Sequence, residues 1–285
     1  MTTSSENQEL VVVTGASTGM GAATAHELAR RGFHVLAGVR READGEAIRT
    51  AGVEPFILDI TDPEHVAALP SLVGNRTLRA VVNNAGVGGI GPVEVLPLDD
   101  WRRIFEVNLF GHIAVTKTLT PSLVRSRGRI VNISSLNGKF AMAGYGSYSA
   151  SKFALEATSD ALRQELTPHG VHVVVIEPGG VKTAMAGHGP AGVDHVAGKM
   201  TRDQSARYGG LLHAIPGHVA AFTAAGVTSE VAARTIARAV TDRRPRTRYT
   251  IGRPAAVLTR LTRILPDRAL DRLAAADLGR HYPSA

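Results

Sequence analysis

Six short apolar runs punctuate the chain: LVVV (10–13), HVLAGV (34–39), PFIL (55–58), LRAVV (78–82), RIVNI (129–133) and VHVVVI (171–176). They lack the strict polar–apolar alternation of a strand with one wet face. A strand that is apolar on both sides must be covered on both sides, as in a parallel sheet with helices on each face. Helix-length segments at 21–31, 99–119 and 149–166 supply that cover. The expected fold class is therefore α/β, a doubly wound parallel sheet. No internal repeat or low-complexity linker divides the chain. With 285 residues, 44% of them apolar, one domain is expected, with a core at 8–183, a distinct segment at 184–227 and a C-terminal helix, strand and tail at 228–285.

Several classes of function fall away early. There is no cysteine, so neither disulfides nor thiolate metal sites can form, and no metal site is expected. The 32 basic and 25 acidic side chains leave a charge of +7, but the arginines are scattered. The one dense run, DRRPRTRYTIGR at 242–253, carries no nucleic-acid-binding motif. No nucleic-acid partner is expected. The N-terminal MTTSSENQE lacks the basic-then-apolar order of a leader, and no apolar run approaches the roughly 20 residues that span a bilayer. A soluble, cytoplasmic protein is expected.

The first apolar run leads into TGASTGMG, with Gly15, Gly19 and Gly21, and then into a helix. Glycines let the backbone approach a pyrophosphate, and a helix N-terminus offers free N–H groups and partial positive charge. A dinucleotide is expected there. The second run ends in Gly38, Val39, Arg40 and Arg41. A carboxylate at that edge would read the 2′-hydroxyl of NAD, whereas a guanidinium binds a 2′-phosphate with two parallel hydrogen bonds. NADP(H) is expected over NAD(H), with Arg40 as the phosphate ligand. Asp59, ending the third run, is placed to accept from the adenine amino group, while Asp62 caps the helix opened by PEHVAAL. In NNAG, Asn83 either ties strands or touches ligand, and Gly86 leaves space beside the cofactor.

The stretch GYGSYSASK (144–152) offers two tyrosines and one lysine. Residues four apart share a helix face, so Tyr148 pairs with Lys152, whereas Tyr145 has only Ser149 at that offset. A phenol ordinarily titrates near 10. An ammonium roughly 4 Å away would favour the phenolate by on the order of 4 kcal/mol, bringing Tyr148 toward neutrality as an acid and base. A donor for the substrate oxygen is expected from NISS, where Ser134 and Ser135 point to opposite faces; spacing alone does not choose between them.

TGASTGMG, NNAG, the asparagine of EVNLFG, the second serine of NISS, YSASK and PGGVKT stand in the order and spacing of the short-chain dehydrogenase/reductase family, which the chain resembles over about residues 8–183. The resemblance implies a Rossmann sheet and hydride exchange between nicotinamide and a carbonyl carbon. It places the Asn-Ser-Tyr-Lys set on Asn108, Ser135, Tyr148 and Lys152, the thirteen-residue serine–tyrosine interval selecting Ser135. Tyr148 would move the proton, Ser135 hold the oxygen, Lys152 also bind the nicotinamide ribose and Asn108 hold a relay water. The implied cofactor contacts are Thr14, Gly15, Ser17, Thr18, Gly19, Met20 and Gly21, then Asp59, Ile60, Asn84, Ala85 and Gly86. Pro178, Gly179, Val181 and Thr183 complete them, Thr183 on the carboxamide. One departure is Thr18, where many NADP enzymes of the family carry a basic residue; Arg40 has correspondingly less help.

Beyond Met185 the chain is rich in Gly and His and weakly periodic, read as a lid or binding loop before a helix capped by Ser229. Leu211, Leu212 and Phe222 would wall a pocket for a bulky apolar carbonyl or alcohol, a steroid, retinoid or polyketide, in line with a loose resemblance of the C-terminal part to the hydroxysteroid and retinol dehydrogenase branch. The tail sets Leu258, Leu261 and Leu265 on one helical face, read as packing on the domain or a second subunit in preference to an interfacial membrane helix. Family resemblance suggests a homodimer or homotetramer. A non-redox cyclase, epimerase or isomerase and a redox-sensing binding module are the alternative functions.

Overall fold

The computed structural model describes residues 8–183 and 189–282. Its strands are β1 (Leu10–Val13), β2 (His34–Val39), β3 (Val53–Ile57), β4 (Leu78–Asn83), β5 (Arg129–Ile133), β6 (His172–Pro178), β7 (Val181–Lys182), β8 (Val227–Thr228) and β9 (Arg248–Ile251). One parallel sheet runs β3-β2-β1-β4-β5-β6-β9, and β7 pairs with β8 separately. The strand order reverses between β1 and β4, which opens a crevice at the carboxyl ends of those strands.

The helices of the core are α1 (Gly19–Arg30), α2 (Glu42–Ile48), α3 (Pro63–Ala67), α4 (Leu69–Val73), α5 (Leu98–Phe105), α6 (His112–Ser126) and α7 (Gly146–Leu166). Beyond them lie α8 (Gly189–Ala197), α9 (Arg202–Ala224), α10 (Ser229–Thr241), α11 (Arg253–Leu261) and α12 (Asp267–Gly279). β1 shows why its run is apolar throughout. Val11 and Val13 join Leu28 of α1 and Ile236 and Val240 of α10, while Leu10 and Val12 join Val115, Leu119 and Leu123 of α6 on the opposite face. All four β1 side chains have no exposure. Each such burial is worth about 1.5–3 kcal/mol, so a charge at Val12 would break the layer.

Three expectations change. The segment after 188 is helical: α9 opens on a capping box between Thr201 and Gln204, and it packs Leu211, Leu212 and Ile215 onto Ile104 and Leu96. Pro216 and the glycines at 209, 210 and 217 blurred its periodicity. Residues 184–188 of the expected lid lie outside the described residues. Second, Thr228 caps α10, accepting from the Val231 N–H at 3.4 Å, and Ser229 instead donates to the Lys182 carbonyl at 3.2 Å. Asp62 does cap α3, accepting from the Glu64 N–H at 2.8 Å. Third, α11 stops at Leu261, so Leu265 sits in a turn before Pro266 and the leucine stripe is broken. Among the described residues, no helix is long and apolar enough to cross a membrane.

Candidate active site

The glycine loop leaves β1 and enters α1 at the sheet's switch point. Thr14 is fully buried, and its hydroxyl accepts from the N–H groups of Asn84 and Ala85, each at 3.0 Å. The Asn84 amide donates to the Thr14 and Gly15 carbonyls, also at 3.0 Å each. Thr14 and Asn84 therefore shape the loop by bolting it to the end of β4. Gly15 has φ +62°, and a Cβ on Gly21 would come within 2.2 Å of the Gly15 carbonyl oxygen. α1 has no side-chain cap and no acidic residue in its first turn. An open helix N-terminus beneath a loop with glycine at 15, 19 and 21 fits a pyrophosphate.

Around this cradle the expected contacts divide. Thr183 closes over it, since a Cβ at Gly19 would lie 3.2 Å from the Thr183 methyl. Arg41 is committed to Asp44 by two hydrogen bonds of 2.9 and 2.7 Å. Arg40 is exposed, and no hydrogen bond or ion pair holds its side chain among the described residues. Asp59 accepts from the N–H and hydroxyl of Thr61 at 2.9 and 2.7 Å. Burial opposes ionisation of Asp59, yet those bonds and the Arg40 charge hold its carboxyl below the ordinary range. The Ile60 side chain turns into the core against Gly111, so only its backbone remains for a ligand.

Asn83 proves to be a strand tie: its amide donates to Thr116 at 2.9 Å and to Asn132 at 2.8 Å, and Asn132 donates on to Ser159 at 2.9 Å. Asn108 lies in a π-helical turn, Glu106–Gly111, that kinks the junction of α5 and α6. Its amide donates to the Val87 carbonyl at 2.9 Å and to Ser151 at 3.1 Å, and its oxygen accepts from the Val87 N–H at 2.9 Å. With the side chain so engaged, any relay water at Asn108 would have to rest on the backbone of that turn.

The two serines differ in burial. Ser134 is 3% exposed and its hydroxyl is packed away. Ser135 lies on the Tyr148 side and favours its phenolate, and its hydroxyl accepts from the Asn137 N–H at 3.1 Å. Tyr148 and Lys152 lie one turn apart in α7, as the spacing requires, with the ammonium nitrogen 5.8 Å from the ring centre.

The electrostatics differ from expectation. The Lys152 ammonium donates to the Ile133 carbonyl at 2.9 Å, and burial pulls its titration down to about 8 against the favourable charge of Glu156. Burial pushes the Tyr148 phenol up, only partly opposed by Ser135. The lysine does not bring this phenol toward neutrality here, because desolvation of the phenolate outweighs its stabilisation.

Two further features escaped the sequence reading. His112, four residues after Asn108, is buried and donates from Nε2 to the Ala85 carbonyl at 2.6 Å. Burial and the Lys152 charge pull it down to about 3, so it stays neutral. Tyr145 also finds a partner, donating to His218 of α9 at 3.3 Å, and His218 reaches Asp277 of α12 at 3.1 Å. Leu211 and Leu212 face inward, but Phe222 is 40% exposed and stacks on the His218 ring. His218 does not lie at a sequence offset from Tyr145 that helical periodicity can reveal.

The short chain dehydrogenase family model matches residues 9–192. The chain is 40% identical over 184 residues to dehydrogenase/reductase SDR family member 9 of Bos taurus and 42% identical over 181 residues to retinol dehydrogenase 5 of Mus musculus. Those matches cover 62% and 61% of this chain but only 57% of each relative's length. It is 32% identical over 279 residues to an NADPH-dependent 3-dehydrocapnine reductase of Ornithobacterium rhinotracheale, covering 94% of this chain and 96% of that one. A short chain dehydrogenase of Burkholderia cenocepacia, solved with NADP, superposes with a TM-score of 0.71 at 25% identity, covering 95% of this chain and 97% of that one.

Proposed function

Since the chain belongs to the short-chain dehydrogenase family, a family of oxidoreductases, we propose that it interconverts a ketone and a secondary alcohol on a bulky apolar substrate with NADP(H). The observation that carries this reading is the Ser135–Tyr148–Lys152 group set beside an open, glycine-lined cradle. The nicotinamide, when bound, supplies or accepts the hydride. Gly15, Ser17, Thr18, Gly19, Met20 and Gly21 would hold its pyrophosphate, Thr183 its carboxamide and Lys152 its ribose.

Tyr148 is protonated at neutral pH, because burial raises it, and it therefore suits the reductive direction as the acid for the developing alkoxide. Ser135 donates to the same oxygen and orients it. For the reverse reaction Tyr148 must lose its proton, for which an ammonium released from Ile133 toward the site would help. His112, kept neutral, fixes the Ala85 backbone without adding a competing charge. No carboxylate ends β2, and Arg40 is a guanidinium that no side chain holds among the described residues, which favours NADP(H) over NAD(H).

The apolar cluster of Leu96, Trp101, Leu211, Leu212 and Ile215, packed against Tyr145, favours a steroid-, retinoid- or polyketide-like substrate over a sugar. The same reading includes a cytoplasmic homodimer or homotetramer, supported by Phe110 and Phe153, exposed at 51% and 44% beside and on the helices α6 and α7. The test is NADPH oxidation at 340 nm with bulky and small ketones, wild type against Tyr148→Phe. Consumption on a bulky ketone, lost in the variant, is expected; turnover of small polar ketones alone would refute the substrate class, and turnover in the variant would refute the role of Tyr148.

A further inference from the structure

Behind Lys152 lies a group of charges built on two buried carboxylates, Glu156 and Glu177, that the reaction as described does not use. Glu156 is one helical turn further along α7, on the same face, and is 4% exposed. A Cβ on Gly138 would come within 3.1 Å of the Glu156 Cγ and 2.7 Å of the Ser134 hydroxyl, so the carboxylate stem lies directly against the serine loop. Glu156 Oε2 meets the Lys139 ammonium at 2.7 Å and the Arg248 guanidinium at 3.1 Å. Glu156 Oε1 is buried without a hydrogen-bond partner. Glu177 of β6 lies in the same group, 3.3 Å from Arg248 and 3.9 Å from Lys139, and Asp160 is 2.8 Å from Arg248.

Buried ion pairs rarely add stability over apolar residues of similar size, so such a group suggests another use. The groups facing Lys152 can be enumerated by element. Tyr148 and Glu156 come from its own helix, and neutral His112 comes from α6. Through Glu156 it feels Lys139 of the serine loop, Glu177 of β6, Asp160 of α7 and Arg248 of β9. Glu156 is the nearest carboxylate in this chain of contacts, and one of its oxygens accepts no hydrogen bond.

We propose that Glu156 is a positioning residue of the reaction: its buried carboxylate holds Lys152 as an ammonium from one turn away, and Lys139 and Arg248 set how much of that charge Lys152 feels. The inference rests on the oxidoreductase reading of Tyr148 and Lys152. It predicts opposite effects from removing opposite charges. Removing the carboxylate lets Lys152 lose its proton sooner, and removing a cation makes Lys152 hold it longer.

The chain has only five lysines, Lys117, Lys139, Lys152, Lys182 and Lys199, so Lys152 can be followed by NMR of protein carrying lysine labelled with ¹³C at Cε, its signal assigned by Lys152→Arg. A unit charge about 10 Å away at an effective dielectric of about 20 moves a titration by about one pH unit. Glu156→Gln should therefore lower the Lys152 midpoint by about that much, Lys139→Met should raise it, and Glu156→Asp should restore most of the wild-type value. The alkaline limb of kcat/KM for ketone reduction should shift in the same directions. Midpoints that stay put, or that move the same way in Glu156→Gln and Lys139→Met, would overturn the proposal, since general loosening of the fold has no dependence on the sign of the charge removed. The NMR midpoints are read without turnover, so a failure to reduce any ketone would refute the oxidoreductase reading separately.

Discussion

Replacing Lys152 by methionine should change how stability depends on pH, in a direction that burial dictates. The lysine is 3% exposed, and burial lowers its titration from 10.5 to about 8. Below pH 8 it carries a proton in both the folded and unfolded chain, and the full cost of burying the charge is present. Between about 8 and 10.5 the unfolded chain binds more protons than the folded one, so stability rises with pH; above 10.5 the gain is complete. That displacement corresponds to about 3 kcal/mol. Methionine cannot titrate. Unfolding free energies from urea titrations at pH 7 and pH 10.5 should thus show wild type gaining about 3 kcal/mol relative to Lys152→Met. The variant also loses the hydrogen bond to the Ile133 carbonyl. That loss is independent of pH and cancels when the two differences are compared. A wild-type-minus-variant difference that stays flat across this range would refute the burial argument.

Other consequences are equally specific. Gly21→Ala forces a Cβ to within 2.2 Å of the Gly15 carbonyl oxygen; calorimetric affinity for NADPH should fall at least about tenfold, with stability reduced by about 1–3 kcal/mol. Arg40→Ala should lower the preference for NADPH over NADH, measured as a ratio of dissociation constants, by about tenfold or more, and Arg41→Ala should leave it near wild type because Arg41 already serves Asp44. Thermal denaturation should show Thr228→Ala costing about 1 kcal/mol and Ser229→Ala no more than about half of that, since only Thr228 accepts a backbone N–H of α10.

Much of this protein is determined locally. The strands β1, β2 and β5 coincide with their apolar runs, and β4 runs one residue past its own, because a parallel sheet must be apolar on both faces, and that requirement is written in consecutive residues. The Tyr148–Lys152 pair is set by helical periodicity, and the glycine cradle by the positive φ of Gly15 and Gly19 and by Gly21, where a side chain would collide with the loop's own backbone. Tertiary structure decided the remainder. Just past β5, Ser134 is packed away and Ser135 is not, and Arg40 differs from Arg41 in that Asp44 folds back onto one of them. The α9 helix exists because Leu211, Leu212 and Ile215 find Ile104 beneath them, and the charge state of Tyr148 follows from a depth of burial that no residue spacing records. Glu156 looked like any glutamate on a helix face; its meaning comes from Lys139, Glu177 and Arg248, brought from three other parts of the chain around its buried carboxylate.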